Sequence, residues 1–178
     1  MMGWLRLFAG NSRASAGVEM ALVLPMLIIL MFGGMEGGYY LWREHTVVKA
    51  VRDGARYAGR LPFDAFDCAG GDVVNSPTTY KDWIGNVTRT SVINADTNTP
   101  IKVPGWVSNS PPLITITVTC DPDGDTTQNF GLYSELPDGA PIVRVAANVP
   151  YQPLFFNLGF VTSGLGLRAS SQATVMGL

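Results

Sequence analysis

The sequence predicts an α+β protein in which a long N-terminal transmembrane and stalk helix precedes a small antiparallel sheet with one short packed helix. Two observations predict this class. Apolar residues are bunched between Met20 and Phe32, whereas the rest of the 178-residue chain is turn-rich and resembles a soluble protein. The C-terminal third alternates apolar and polar residues with a period of two, which is typical of half-buried strands.

The first element is the apolar helix over residues 18–32, VEMALVLPMLIILMF. Leucine, isoleucine and methionine occupy all sides of this helix, a pattern of lipid-facing or fully buried segments. Crossing a bilayer core takes about 20 residues, and an extension to Trp42 supplies that length. Tyr39, Tyr40 and Trp42 then form an aromatic belt at the far interface.

Two features of this segment, a charge and a proline, do not suit an ordinary anchor. Glu19 puts a charge at the start of the apolar run, where it is expensive unless it lies near the headgroups or has a partner. Pro25 removes one backbone hydrogen bond and is expected to kink the helix. Glu36 adds a second charge within a glycine-rich stretch, at a smaller cost if it lies near an interface. The charge at Glu19 and the kink at Pro25 indicate a role beyond anchoring.

The helix is expected to continue as an amphipathic stalk to about Gly59, where Leu61 and Pro62 stop it. Charged residues point away from one apolar face. That predicted face contains Tyr40, Val47, Val51, Ala55 and Ala58.

The remaining elements complete the sheet and its helix. Residues 79–93 keep three-to-four spacing at Tyr80, Trp83, Ile84, Val87 and Ile93, which predicts a short amphipathic helix. Three alternating segments predict three antiparallel strands. Their inward sets are Ile114, Ile116, Val118 and Cys120; Val143, Val145, Ala147, Val149 and Tyr151; and Leu165, Leu167, Ala169, Ala173 and Val175.

Charge predicts the topology. Arg6 and Arg13 precede the apolar run without an acid, and such residues favour the cytoplasmic side, so the bulk of the chain is expected outside. Cys68 and Cys120 then share an oxidising compartment, where a disulfide closing about 50 residues would stabilise by about 4 kcal/mol. Two unrelated buried thiols are the alternative.

No catalytic, metal or cofactor site is predicted. Asp121, Asp123 and Asp125 follow a strand, but their order does not match a calcium loop and favours a turn. The single histidine, His45, is expected on a solvated helix face. No basic patch indicates nucleic-acid binding. Trp106, in a proline-rich loop, is either a contact surface or local packing.

Residues 14–58 resemble the TadE-like family of pseudopilins, which belongs to the tight-adherence (Flp) pilus assembly system. Three pieces carry the resemblance together: GVEMALVLP, FGGMEGG and VKAVRDGARYA. The second stands where the family typically has Phe-Gly followed closely by an acid. The resemblance covers about a quarter of the chain and is specific because the spacing of all three pieces matches.

The resemblance implies cleavage by a prepilin peptidase that leaves a glutamate fifth in the mature chain. With Glu19 fifth, the cleaved bond joins Ala14 and Ser15, although Ala14 stands where the family usually has glycine. It also implies that Glu19 pairs with the free amine of a neighbouring subunit. The residues expected to pack against neighbouring helices are Met20, Leu22, Pro25, Leu27 and Phe32.

The expected organisation is a cytoplasmic leader over 1–14, a transmembrane and stalk helix over 15–60 and a periplasmic domain over 61–178. The expected function is that of a pseudopilin-like, non-enzymatic pilus assembly component in the bacterial inner membrane, able to enter the pilus. Its expected partners are other pilins, the assembly platform and prepilin peptidase. The alternative is a permanently anchored periplasmic binding module that keeps residues 1–14. A cleaved secretory signal is disfavoured because GGMEGGYY is a poor cleavage site.

Overall fold

The long helix α1 runs over Ser12–Ala58 and dominates the molecule. The structure is a computed structural model that describes residues 12–68, 70, 72–73, 79–109, 113–120, 133, 136, 139–155 and 164–177. At 1.5 Å per residue, the 47 residues of α1 extend about 70 Å. The assigned helix continues on both sides of Pro25. The predicted long N-terminal helix is confirmed.

The described residues include a three-stranded antiparallel sheet with the order β3-β4-β5. The strands are β3 (Ile114–Thr119), β4 (Ile142–Pro150) and β5 (Gly166–Thr174). A separate two-stranded ribbon joins β1 (Phe66–Asp67) to β2 (Asp72–Val73). These elements confirm the predicted α+β class with a small antiparallel sheet.

The alternation in the strands places one face of the sheet in the core. The predicted inward residues within β3 and β4 are buried, since successive side chains point to opposite faces of a sheet, whereas Cys120, directly after β3, is half-buried. Tyr151, directly after β4, is buried as well. In the third predicted set Leu167 and Val175 are fully buried, whereas Leu165 lies before β5 and is 50% exposed.

The second half of α1 supplies the other side of the core. Its buried residues are Val47, Ala50, Val51, Ala55 and Ala58, which include most of the predicted apolar face. This half of the helix packs against β4, β5 and the second helix. At its end, the amide of Met176 donates to the carbonyl of Gly59 at 2.8 Å, which ties the end of α1 to the chain after β5. A 3-10 turn at Phe63–Ala65 then leads into β1.

Helix α2 spans Thr79–Thr90 and crosses α1 closely. It ends earlier than the 79–93 pattern suggests, because Ser91 takes a left-handed backbone with φ of 70°. Ile93 therefore lies outside the helix and is 41% exposed, so its assignment to the packed face was wrong. A Cβ built on Gly54 would lie 1.9 Å from Thr88 Oγ1, so the crossing requires glycine there.

A disulfide joins Cys68, after β1, to Cys120, after β3. It ties the small ribbon to the edge of the main sheet. Trp106 is completely buried, so of the two interpretations of its loop the structure supports local packing. The acidic segment at Asp121, Asp123 and Asp125 lies outside the described residues.

Candidate functional site

The first half of α1 is bare. Every described side chain from residue 16 to residue 31 is exposed, including Val18 at 63%, Leu22 at 71% and Leu30 at 70%. By length and composition this is a helix that can cross a membrane. An isolated apolar helix of this kind is unfavourable in water, because hydrophobic burial stabilises proteins in proportion to apolar area removed from water. Lipid or other helices must therefore cover it.

The predicted packing and processing residues lie along this bare half. Met20, Leu22 and Leu27 are 57%, 71% and 54% exposed, and Pro25 and Glu19 are exposed too. Phe32 is half-buried instead, because its ring meets that of Phe155 edge-on at 5.0 Å. Ala14 and Ser15 lie in the first turn of α1. The described chain brings no second group to Glu19, so its pairing stays a prediction about a neighbouring molecule.

The exposed half ends at a carboxylate that is buried by the domain. Glu36 is only 8% exposed, although its neighbour Met35 is 52% exposed. The Tyr151 hydroxyl donates a hydrogen bond to Glu36 Oε1. The amide of Leu154 lies 3.2 and 3.1 Å from the two carboxylate oxygens, and the amide of Phe155 donates to Oε2 at 3.2 Å. We call this group, Glu36 with residues 151–155, the Glu36 dock.

Aromatic rings enclose the dock. Tyr151 meets Tyr40 edge-on at 5.1 Å and Tyr39 in a tilted arrangement at 6.3 Å. Burial, reinforced by the hydrogen bond to Glu36, raises the pKa of Tyr151 well above its usual value. The phenol therefore stays protonated and remains a hydrogen-bond donor to the carboxylate. The Phe32 and Phe155 pair closes the side of the dock towards the bare half of α1.

A cation marks the next turn of the helix. The Arg43 guanidinium lies 4.8 Å from the Tyr39 ring centre and 4.7 Å from that of Trp42. It also donates to the Tyr39 hydroxyl and, at 3.4 Å, to the carbonyl of Lys102. Such contacts between a cation and aromatic faces are favourable, and Tyr, Trp and Arg together are typical of a membrane interface. The predicted aromatic belt thus lies directly after the first contacts of the domain with α1, which are at Phe32 and Glu36.

Lys102, in the loop after α2, contacts both helices. Its ammonium lies 3.5 Å from Asp53 on α1 and donates to the carbonyl of Val87 on α2 at 3.2 Å. Burial lowers the pKa of Lys102, while Asp53 opposes that shift. This contact is structural, and it stabilises the packing of α2 on α1.

The Glu36 dock is the feature that sequence reasoning did not find. An acid within an apolar run was a signal that Glu36 has a partner, yet its donors lie more than 110 residues away in sequence. Within the described ranges, no three His, Cys, Asp or Glu side chains come close enough together to hold a metal ion. His45 is exposed on α1, as expected for a solvated helix face.

The family model described as TadE-like protein matches residues 14–56. Neither the curated proteins nor the solved structures contain a match to the chain. The matched range includes the bare half of α1, Glu19, Glu36 and most of the core-facing half. The resemblance inferred from the three sequence pieces is confirmed over this range.

Proposed function

We propose that this chain, whose long helix is similar to the TadE-like family, is a pseudopilin-like component of a tight-adherence pilus assembly system. The family match indicates a membrane component associated with such a pilus. One observation carries the proposal: the matched helix has a bare apolar half followed by a half built into a folded domain. That arrangement suits a protein that holds its domain at a membrane and can pass its helix to a helical assembly.

The proposed orientation puts the N-terminus in the cytoplasm and the domain in the periplasm. Arg13 precedes the bare segment, and arginines beside a span favour the cytoplasmic side. The Cys68–Cys120 disulfide fits an oxidising compartment such as the periplasm. The disulfide carries this orientation, because Arg43 at the other end of the span balances Arg13.

Prepilin peptidase is the proposed processing enzyme, and the bond between Ala14 and Ser15 its site. Cleavage would give Ser15 a free amine four residues before Glu19. In an assembly, Glu19 of one subunit would pair with the amine of the next, because a charge in lipid needs a partner. The exposed Met20, Leu22 and Leu27 would then pack on neighbouring helices. The other proposed partners are pilins and the assembly platform.

The role is structural. TadE-like pilus components act through assembly, and the contacts of this chain that stand out join helix to domain. Neither a catalytic step nor a cofactor is needed for this proposal.

The test is the intact mass and N-terminal sequence of the protein recovered from native membranes. A chain that begins at Ser15 supports pilin-type processing. One that begins at Met1 or Met2 contradicts it and supports a permanently anchored binding module instead.

A companion experiment follows assembly. Glu19→Ala should abolish incorporation into pili while near-UV circular dichroism shows a folded domain. Glu44→Ala, on the same helix, is the control because the Glu44 side chain forms no hydrogen bond or ion pair with another described residue. Normal incorporation of Glu19→Ala would count against the proposed pairing.

A further inference from the structure

We propose that residues 151–155 form a second membrane contact, which lies in the interfacial layer of the bilayer and holds the domain against the membrane surface. The inference rests on the proposed membrane anchoring by α1. It adds a lipid surface as the partner of a segment that follows β4 and is remote in sequence from the anchor.

The spacing of two acids on α1 sets the depth of the Glu36 dock in the membrane. Glu19 and Glu36 are 17 residues apart on one helix, which is about 26 Å along its axis. A bilayer hydrocarbon core is about 30 Å thick. If Glu19 lies near the headgroups on one side, where a charge is least costly, Glu36 comes to the boundary of the other side. The dock therefore lies at the bilayer surface next to the domain.

Exposed apolar side chains lie at the depth of the Glu36 dock. Leu154 is 51% exposed although its amide is fixed to the Glu36 carboxylate. Met35 and Trp42, on the turns of α1 around the dock, are 52% and 57% exposed. An apolar surface that continues from the bare helix onto Leu154 is covered most directly by the lipid that covers the helix.

The backbone amides and the carboxylate of the Glu36 dock satisfy each other's hydrogen bonds. Irregular backbone is excluded from lipid unless its amides and carbonyls have protein partners. In the dock, Glu36 accepts the amides of Leu154 and Phe155, so these donors are satisfied. In return, Glu36 is only 8% exposed, so its charge is shielded from lipid. Each group removes the obstacle that would keep the other out of the bilayer surface.

The aromatic belt of α1 lies close to the Glu36 dock along the helix. Trp42 and Arg43 lie about two turns of α1 after Glu36, and Arg43 stacks on the Trp42 ring. Tryptophan prefers the headgroup layer, and an arginine near the end of a span keeps its charged head in that layer. The belt, the dock and the exposed leucine thus define one level on the molecule.

The experiment places a fluorescent probe at this level and another far from it. The two cysteines of the chain are joined to each other, so an introduced cysteine is the one free thiol. Full-length Leu154→Cys and Met176→Cys are labelled with an environment-sensitive nitrobenzoxadiazole dye and placed in phosphatidylcholine and phosphatidylglycerol vesicles at low protein density. Met176 is the matched control because its exposure, 54%, is close to the 51% of Leu154.

The control lies at the far end of the domain. The Met176 amide bonds to Gly59, which is 23 residues beyond Glu36, or about 35 Å along α1. Flotation with the vesicles first establishes that both proteins are anchored. Quenching by aqueous iodide and by lipids that carry a nitroxide high on the acyl chain is then compared.

We expect the probe at position 154 to be quenched by the nitroxide lipid and to be about fivefold less accessible to iodide than the probe at 176. Equal iodide quenching in chains that float would overturn the inference and leave the anchor intact. Protection from iodide without nitroxide quenching would assign the surface to a second copy and would also overturn it. Failure of both proteins to float would overturn the anchor itself, and with it this inference.

Discussion

Replacing Glu36 with glutamine should release residues 151–155 from α1 while the domain stays folded. The carboxylate accepts from the Tyr151 hydroxyl and from the amides of Leu154 and Phe155. Glutamine has nearly the same shape, but one of its two terminal atoms becomes an NH2 group, which donates and cannot accept. If the NH2 group takes the place of Oε2, the Phe155 amide faces another donor. If it takes the place of Oε1, the Tyr151 hydroxyl must reverse to accept from it, and the Leu154 amide keeps a single acceptor.

The size of the effect follows from these contacts. A hydrogen bond to a charged group contributes about 1.5–3 kcal/mol net. Glutamine loses one acceptor atom and the charge on the other, so the local free energy of opening should fall by about 2–3 kcal/mol. At about 1.4 kcal/mol per factor of ten, this corresponds to a roughly 30–150-fold larger equilibrium constant for local opening. The protected amides should exchange faster by the same factor.

Hydrogen exchange of the peptide that covers residues 151–155, followed by mass spectrometry on the full chain in nanodiscs, measures this opening. The amides of Leu154 and Phe155 report the dock directly. Glu44→Gln is the matched control, since it makes the same change of charge eight residues further along α1. Peptides from β4 should exchange at the same rate in all three proteins.

The reasoning would be refuted if Glu36→Gln exchanged these amides as slowly as the wild type. Faster exchange throughout β3, β4 and β5 would also refute it, because the substitution would then unfold the domain instead of freeing one segment. Equal acceleration in Glu44→Gln would show that the loss of charge, and not the loss of an acceptor, is responsible.

Three further perturbations test other contacts. Burial and the hydrogen bond to the helix carboxylate raise the pKa of Tyr151, so its stabilisation is present below about pH 10 and is lost as pH rises through the raised value. Tyr151→Phe should therefore show a smaller drop in urea midpoint above pH 10, and an equal drop would contradict this. Cys68→Ser opens a loop with a sequence separation of 52 and should cost about 4 kcal/mol of unfolding free energy; a loss below about 1 kcal/mol would count against it. Gly54→Ala drives a methyl group into Thr88 and should destabilise by about 1–3 kcal/mol. Gly38→Ala, with nothing within 4 Å, is the control and should cause no loss of thermal stability.

The pattern of burial on the helices and strands could be predicted from sequence because it depends on the spacing of apolar residues within each short segment. In a strand such as β4 the larger or buried apolar residues Val143, Val145 and Ala147 recur at every second position, so its inward face follows from a period of two. On α1 the change from apolar residues all round to one apolar face marks the border between two environments. The three pieces of the TadE-like resemblance also lie within one continuous helix.

Which segments meet across the fold was decided by the tertiary structure. Sequence identified Glu36 as a costly charge but had no means of naming Tyr151 and Leu154 as its partners, since a hydrogen bond between distant segments leaves no local period. The end of α2 depended on the backbone of Ser91, a residue without the usual preference for a left-handed φ.

Sequence alone determined that one half of the long helix needs an apolar cover all round and that the other half needs one on a single face. These demands follow from the solvation of individual side chains, which composition and periodicity record. Only the tertiary structure decided that the chain after β4 returns to the border between the halves and satisfies Glu36 there. The physical reason is that a buried charge requires donors at exact positions, and folding alone brings them together.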